Sequence, residues 1–360
     1  NELTANPTDT LQFARGPKMP NRFALAPLTN LQSHSDGTLS EDEYDFLVRR
    51  ADGGFGMVMT CAAHVQQSGQ GFPGQLGTFS DKHLPGLERL ATAINARASV
   101  SAVQLQHSGE RSVRDLTGMD IVAPFANPDK GVRALSTGEV EQLIADFVAA
   151  AVRCEKAGFH GVELHGAHGY LLCLFLDARN QRSDRFGGSW ENRTRIYHEV
   201  IDGIRAATGP DFQLGLRLSP EKYGYGFAQA REFAQKLMTG GQLDWLDMSL
   251  WDSFKLPDEQ DFQSRPLIDW FSDLDRGACK LGVAGKIFST QNVQSCLDHG
   301  ADFVFIGRGA ILHHDFAQRA VADPDFVSQR FPVTRDYLTR QSVGPAFIDY
   351  LATQWRNYVV

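Results

Sequence analysis

Short apolar runs alternate with amphipathic helical runs eight times along this 360-residue chain, and that alternation leaves few folds open. The apolar runs are Arg22–Leu28, Gly56–Cys61, Val100–Gln106, Gly161–His165, Phe212–Leu218, Trp245–Ser249, Leu281–Lys286 and Phe303–Ile306. Helical patterns follow each of them, near Ser40–Ala51, Pro85–Arg97, Ser136–Lys156, Tyr170–Asp177 with Asn192–Ala207, Ala228–Met238, Leu267–Arg276, Gln291–Asp298 and Phe316–Val321. Two of the helices open on a capping-box spacing, Ser40 with Glu43 and Ser136 with Glu139. Eight such units close into an α/β (β/α)8 barrel, and the length suits one with loop insertions. A doubly wound open sheet is the alternative, but no G-x-G-x-x-G turn follows the first strand. The expected organisation is a barrel over residues 1–322. A C-terminal extension, 323–360, would pack on the barrel or on a neighbouring subunit, which leaves a homo-oligomer open.

A net charge of -8 and a pI near 5.8 argue against a nucleic-acid surface. No window is long and apolar enough to span a bilayer, and the chain as given opens without a signal-peptide pattern. Five dispersed cysteines, Cys61, Cys154, Cys173, Cys279 and Cys296, fit a reducing cytoplasm better than disulfides or a Cys-ligated metal.

Barrel strands are buried on both faces, so polar residues near their C-terminal ends, where active sites of this fold lie, are informative. Thr29, Gln104, Gln106, His165 and Arg217 are such residues, and a shared ligand accounts for all five. Gly285-Lys286 and Gly307-Arg308 follow the seventh and eighth strands, where barrels commonly hold a phosphate. A phosphate there and a polar ring system over the earlier strands match the shape of FMN. In Val162–Tyr170, His165 ends the fourth strand, and His168 and Tyr170 follow in the turn. Two hydrogen-bond donors beside a phenol suit polarisation of a carbonyl with protonation of the adjacent carbon. A barrel metallohydrolase could use His165 and His168 as ligands, with His64 or His107, but lacks the needed carboxylates at strand ends. A non-catalytic flavin-binding protein is a second alternative, and it would not need the His-His-Tyr set.

These motifs resemble the old yellow enzymes, FMN-dependent ene-reductases, from about Leu11 to Ala320. The resemblance rests on Asn21–Thr29, Val103–Gly109, Glu163–Leu172, Asn180–Arg193 and Phe305–Arg308. It implies that Pro27, Leu28 and Thr29 line a tightly bound FMN, with Thr29 near C4=O and the Ala62 backbone in the same region. Gln104 would meet the pyrimidine edge, Arg217 the N1/C2=O side, and Gly285, Lys286, Gly307 and Arg308 the phosphate. His165 and His168 would hold a substrate carbonyl oxygen, and Tyr170 would donate the proton. NADH or NADPH would be the co-substrate, and small electrophilic alkenes the partners. Threonine at position 29 matches the threonine-type members rather than those with cysteine. Gln106 stands where some members carry a tryptophan facing the substrate. With no cysteine after Cys296, an appended iron–sulfur domain is not expected.

Overall fold

A computed structural model describes residues 4–360. Eight parallel strands form a closed barrel: β1 (Phe23–Leu25), β2 (Met57–His64), β3 (Val100–Gln106), β6 (Gly161–His165), β7 (Gln213–Leu218), β8 (Trp245–Ser249), β9 (Lys280–Ala284) and β10 (Phe303–Ile306). The order around the barrel is the order of the chain, and β10 closes on β1 through Phe23 beside Val304. Strands β4 (Ile121–Ala123) and β5 (Val132–Ala134) pair in a small separate sheet, packed on Leu174, between the third barrel strand and the helix that opens at Ser136.

Alternate residues divide the core in two. Val162, Leu164, Leu214, Leu216 and their equivalents face the surrounding helices. Ala24, Met57, Met59, Ala102, Trp245, Phe303 and Phe305 fill the lower barrel, where Phe13 of the N-terminal segment packs on Trp245 and Phe303. This apolar plug makes the barrel a packed core with a floor. The inward residues above it are polar: Gln104, Gln106, Glu163, His165, Arg217 and Asp247 are all buried.

Several boundaries differ from expectation, each for a local reason. β1 stops at Leu25 because Pro27 has no N–H to extend the ladder. β9 stops at Ala284 because Gly285 (φ +147°) and Lys286 (φ +52°) leave the extended region. β2 instead runs on to His64, with one extra residue opposite β3 between Met59 and Ala62. That bulge re-aims Ala62. The helix expected over 267–276 is one turn, Asp269–Ser272, since Asp273 and Asp275 oppose the dipole at its C-terminal end.

The capping box at Ser136–Glu139 forms in full. At Ser40 only half of it does: Ser40 accepts from the Glu43 N–H, but the Glu43 carboxylate turns inward. It accepts from Ser33 Oγ at 2.5 Å, and burial raises its pKa to about 7. Beyond residue 322, helices Arg335–Arg340 and Pro345–Gln354 pack on this chain's own barrel. Phe347 meets Phe46, and Arg50 donates to the Gln341 carbonyl at 2.6 Å.

Candidate active site

The C-terminal strand ends open into one cavity of about 810 Å³. Pro27, Leu28, Thr29, Ala62, Gln104, His165, His168, Tyr170, Arg217, Gly285, Lys286, Gly307 and Arg308 all line it, so the residues singled out in sequence share one space. Gln106 lines it too, fixed by Gln75, whose Nε2 donates to Gln106 Oε1 at 2.8 Å and to the Ala62 carbonyl at 3.1 Å.

His165, His168 and Tyr170 form one wall. The His165 ring centroid is 5.1 Å from that of His168 and 4.8 Å from that of Tyr170. The Ala167 N–H donates to His165 Nδ1 at 3.3 Å, which puts the ring proton on Nε2. His168 sits at φ +63° in a turn whose strain is held by its N–H bond to Ser219 Oγ. Its Nε2 lies 2.7 Å from Ser249 Oγ, which Arg217 Nη2 approaches at 3.5 Å. Ser249 can accept from Arg217 and donate to His168, the arrangement that leaves the His168 proton on Nδ1. Burial above all, then His168 in the case of His165, and Arg217 and Arg111 for both, pushes the two histidines well below the usual imidazole pKa, so both are neutral donors near pH 7. The Arg111 guanidinium lies 3.6 Å over the Tyr170 ring and donates to the His168 carbonyl.

Opposite, Gly285 and Gly307 bring backbone to the cavity edge. A Cβ on Gly285 would meet the Trp251 backbone at 2.9 Å, and one on Gly307 would meet only Leu28 at 3.8 Å. Arg308 Nη1 donates to Tyr358 Oη at 3.4 Å, and Lys286 Nζ is 3.6 Å from Asp252.

Sequence reasoning missed Arg111, Tyr223, Ser249, Trp251, Tyr350, Trp355 and Tyr358, which also line the cavity. Ser249 had a signal, a hydroxyl closing an apolar strand. The C-terminal residues had none, because only folding brings them to the barrel mouth.

A closed parallel barrel with a polar cavity at the C-terminal ends of its strands is the arrangement of a (β/α)8 barrel enzyme. The sequence profile of the NADH:flavin oxidoreductase / NADH oxidase family matches residues 13–323, and the chain belongs to that family, the old yellow enzymes. It is an NAD(P)H-dependent flavin oxidoreductase with FMN as cofactor. The chain is 34% identical over 311 residues to a probable NADH-dependent flavin oxidoreductase of Bacillus subtilis, covering 83% of each. It is 33% identical over 325 residues to an NADH:fumarate oxidoreductase of Klebsiella pneumoniae, covering 85% of this chain but only 35% of that one. Among solved structures it is similar to the old yellow enzyme homologue from Zymomonas mobilis (25% identity, TM-score 0.79, 93% of this chain and 96% of that one). It is likewise similar to morphinone reductase (26% identity, TM-score 0.78, 93% of each). Among the described residues no helix is long and apolar enough to cross a membrane.

Proposed function

We propose that this flavin oxidoreductase is an ene-reductase, reducing the C=C bond of small alkenes conjugated to a carbonyl or nitro group. Nicotinamide and alkene would use the one cavity in turn. The carrying observation is the wall on which two neutral histidines adjoin a phenol. FMN, when bound, would supply the redox chemistry between NAD(P)H and the alkene β-carbon.

The residues present fit that cofactor. Buried Arg217 lines the cavity with its Nε beside Asp247 Oδ2 at 3.3 Å, and Gln104 spends its Nε2 on Glu163, leaving its carbonyl oxygen as an acceptor. In this reading Gln104 accepts from the flavin's pyrimidine edge and Arg217 balances charge at the N1/C2=O side. Pro27, Leu28 and Thr29 would line the ring with the Ala62 backbone, with Thr29 near C4=O. Gly285, Lys286, Gly307 and Arg308 would hold the phosphate, the glycines by close backbone approach and Arg308 as a planar fork.

His165 Nε2–H and His168 Nδ1–H hold the carbonyl or nitro oxygen and stabilise the charge that develops there as hydride arrives at the β-carbon. No proton moves through them. Tyr170 gives its phenolic proton to the α-carbon and recovers one from solvent. Five free, buried thiols support a reducing, cytoplasmic setting.

The test is aerobic turnover with NADH and with NADPH on cyclohexenone, a maleimide and a nitroalkene, with mass spectrometry of the released chromophore. Released FMN with NAD(P)H consumption dependent on the alkene is expected. FMN-loaded protein that turns over none of the three sinks the ene-reductase reading.

A further inference from the structure

Between the apolar plug and the cavity lies a layer of buried polar side chains, in which Gln104 and Arg217 face the cavity. Glu163 and Asp247, both fully buried, stand behind them. Gln104 is in register with Glu163 across β3 and β6, and Arg217 with Asp247 across β7 and β8. Glu163 accepts twice: from Gln104 Nε2 into Oε1 at 2.9 Å, and from Trp245 Nε1 into Oε2 at 2.9 Å. Trp245 reaches Glu163 from two strands away by crossing Gly215, where a Cβ would come within 2.0 Å of the indole.

Asp247 is the anomaly. Its Oδ2 lies 3.3 Å from Arg217 Nε, yet neither of its oxygens accepts a hydrogen bond from any donor among the described residues. A fully buried carboxylate with no donor is expensive. Asp247 shares this buried layer with Glu163, and a hydrogen bond between the two would need a proton on one of them, since two ionised carboxylates cannot make it. Among the described residues Arg217 is the charged side chain acting on both members of the pair, Gln104 and Trp245 being neutral, and one guanidinium balances one carboxylate.

We propose that Glu163 and Asp247 form a buried carboxyl pair holding one proton between them, and that this pair positions Gln104 and Arg217 toward the flavin. The shared proton supplies the donor Asp247 otherwise lacks. The layer is then neutral, with one carboxylate against Arg217. Glu163, as acceptor, holds Gln104 with its Nε2 inward and its carbonyl oxygen toward the cavity. Burial first, then their mutual repulsion, raises Glu163, and burial raises Asp247 to about 6, in agreement with a retained proton near neutral pH. The positioning role rests on the flavin placement proposed above; the proton does not.

The proton is tested by infrared difference spectra of the holoenzyme at pH 7, wild type minus Glu163→Gln and wild type minus Asp247→Asn. Each should contain the carbonyl stretch of a protonated carboxylic acid, moving down in D2O. Its absence from both overturns the pair. The flavin midpoint potential checks the charge count. Asp247→Asn removes the proton but not the net charge, so the potential should stay put. A clear rise would mean that both carboxylates are ionised, which also overturns the pair. For positioning, apoprotein is titrated with FMN. The Glu163→Gln amide cannot accept from both Gln104 and Trp245, so Gln104 must turn over, and FMN affinity should fall about tenfold, the worth of one buried hydrogen bond. In a Gln104→Ala background the same change should cost nothing further. An equal loss in both backgrounds marks a merely structural effect and overturns positioning. An unchanged affinity in Gln104→Ala alone overturns the flavin placement, and positioning with it. Should Glu163→Gln fail to fold, the infrared and potential measurements on Asp247→Asn still decide the proton.

Discussion

The indole of Trp245 occupies the space where a side chain on Gly215 would stand, and through that gap it donates to Glu163. The floor beneath the polar layer therefore depends on the absence of a single methyl group. Gly215→Ala should displace Trp245 and destabilise the protein by at least about 3 kcal/mol, the upper end of usual overpacking costs. Denaturant unfolding measures this, and wild-type stability in the variant would refute the packing account.

Tyr170 acts only when a proton reaches carbon. Tyr170→Phe should leave flavin reduction by NAD(P)H near its wild-type rate and slow enone reduction by roughly 10²–10⁴-fold, the range for a positioned general acid. Nitroalkenes should suffer less, because their reduced product can be protonated in water. Stopped-flow measurement of both half-reactions decides it; equal slowing of the two would make Tyr170 a packing residue.

His165→Ala and His168→Ala each remove a donor to the substrate oxygen, so phenols that mimic the developing anion should bind more weakly. Ser249→Ala should act in the same direction but less strongly, since it only frees His168 Nε2 from its 2.7 Å partner. Spectral titration with a para-substituted phenol gives the order, and a larger loss in Ser249→Ala than in His168→Ala would contradict it.

Arg308→Ala should weaken FMN retention by about 1.5–3 kcal/mol, the loss of a charge-assisted contact to phosphate. Flavin occupancy at limiting FMN reports it, and full occupancy would move the phosphate elsewhere.

Acid should destabilise the fold before any carboxylate of ordinary pKa titrates. Burial lowers His64 to about 4 and His107 to about 3, and His165 and His168 lie well below their usual value. The unfolded chain binds those protons from about pH 6.5 downward while the folded one does not, so each such histidine removes about 1.4 kcal/mol per pH unit in that window. Glu43, raised to about 7, works the other way: its stabilisation is present below about pH 4.5 and lost as pH rises through 7. Denaturant midpoints should thus fall from pH 6.5 to 5, and more steeply in Glu43→Gln. A flat profile would show these histidines to be protonated in the fold.

The eightfold alternation, the glycine turns after the last two strands and the His-His-Tyr window could be read directly, because each is local. A strand's period, a turn's φ requirement and a motif's spacing are encoded within a few neighbouring residues. The same locality explains why the polar residues ending the strands pointed to one cavity: closing the barrel brings every strand's C-terminal end to one face. Glu43 shows the limit, since its spacing from Ser40 fits a capping box while its carboxylate answers instead to Ser33 and Cys61. Trp245 meeting Glu163 across Gly215, Arg111 lying on Tyr170, and Tyr358 meeting Arg308 were decided only by tertiary structure. Those contacts join residues far apart in the chain, and no periodicity records which distant side chain will fill a gap. Barrel closure and the return of the C-terminal helices settle that, because packing volume and buried hydrogen bonds have to be satisfied together in three dimensions.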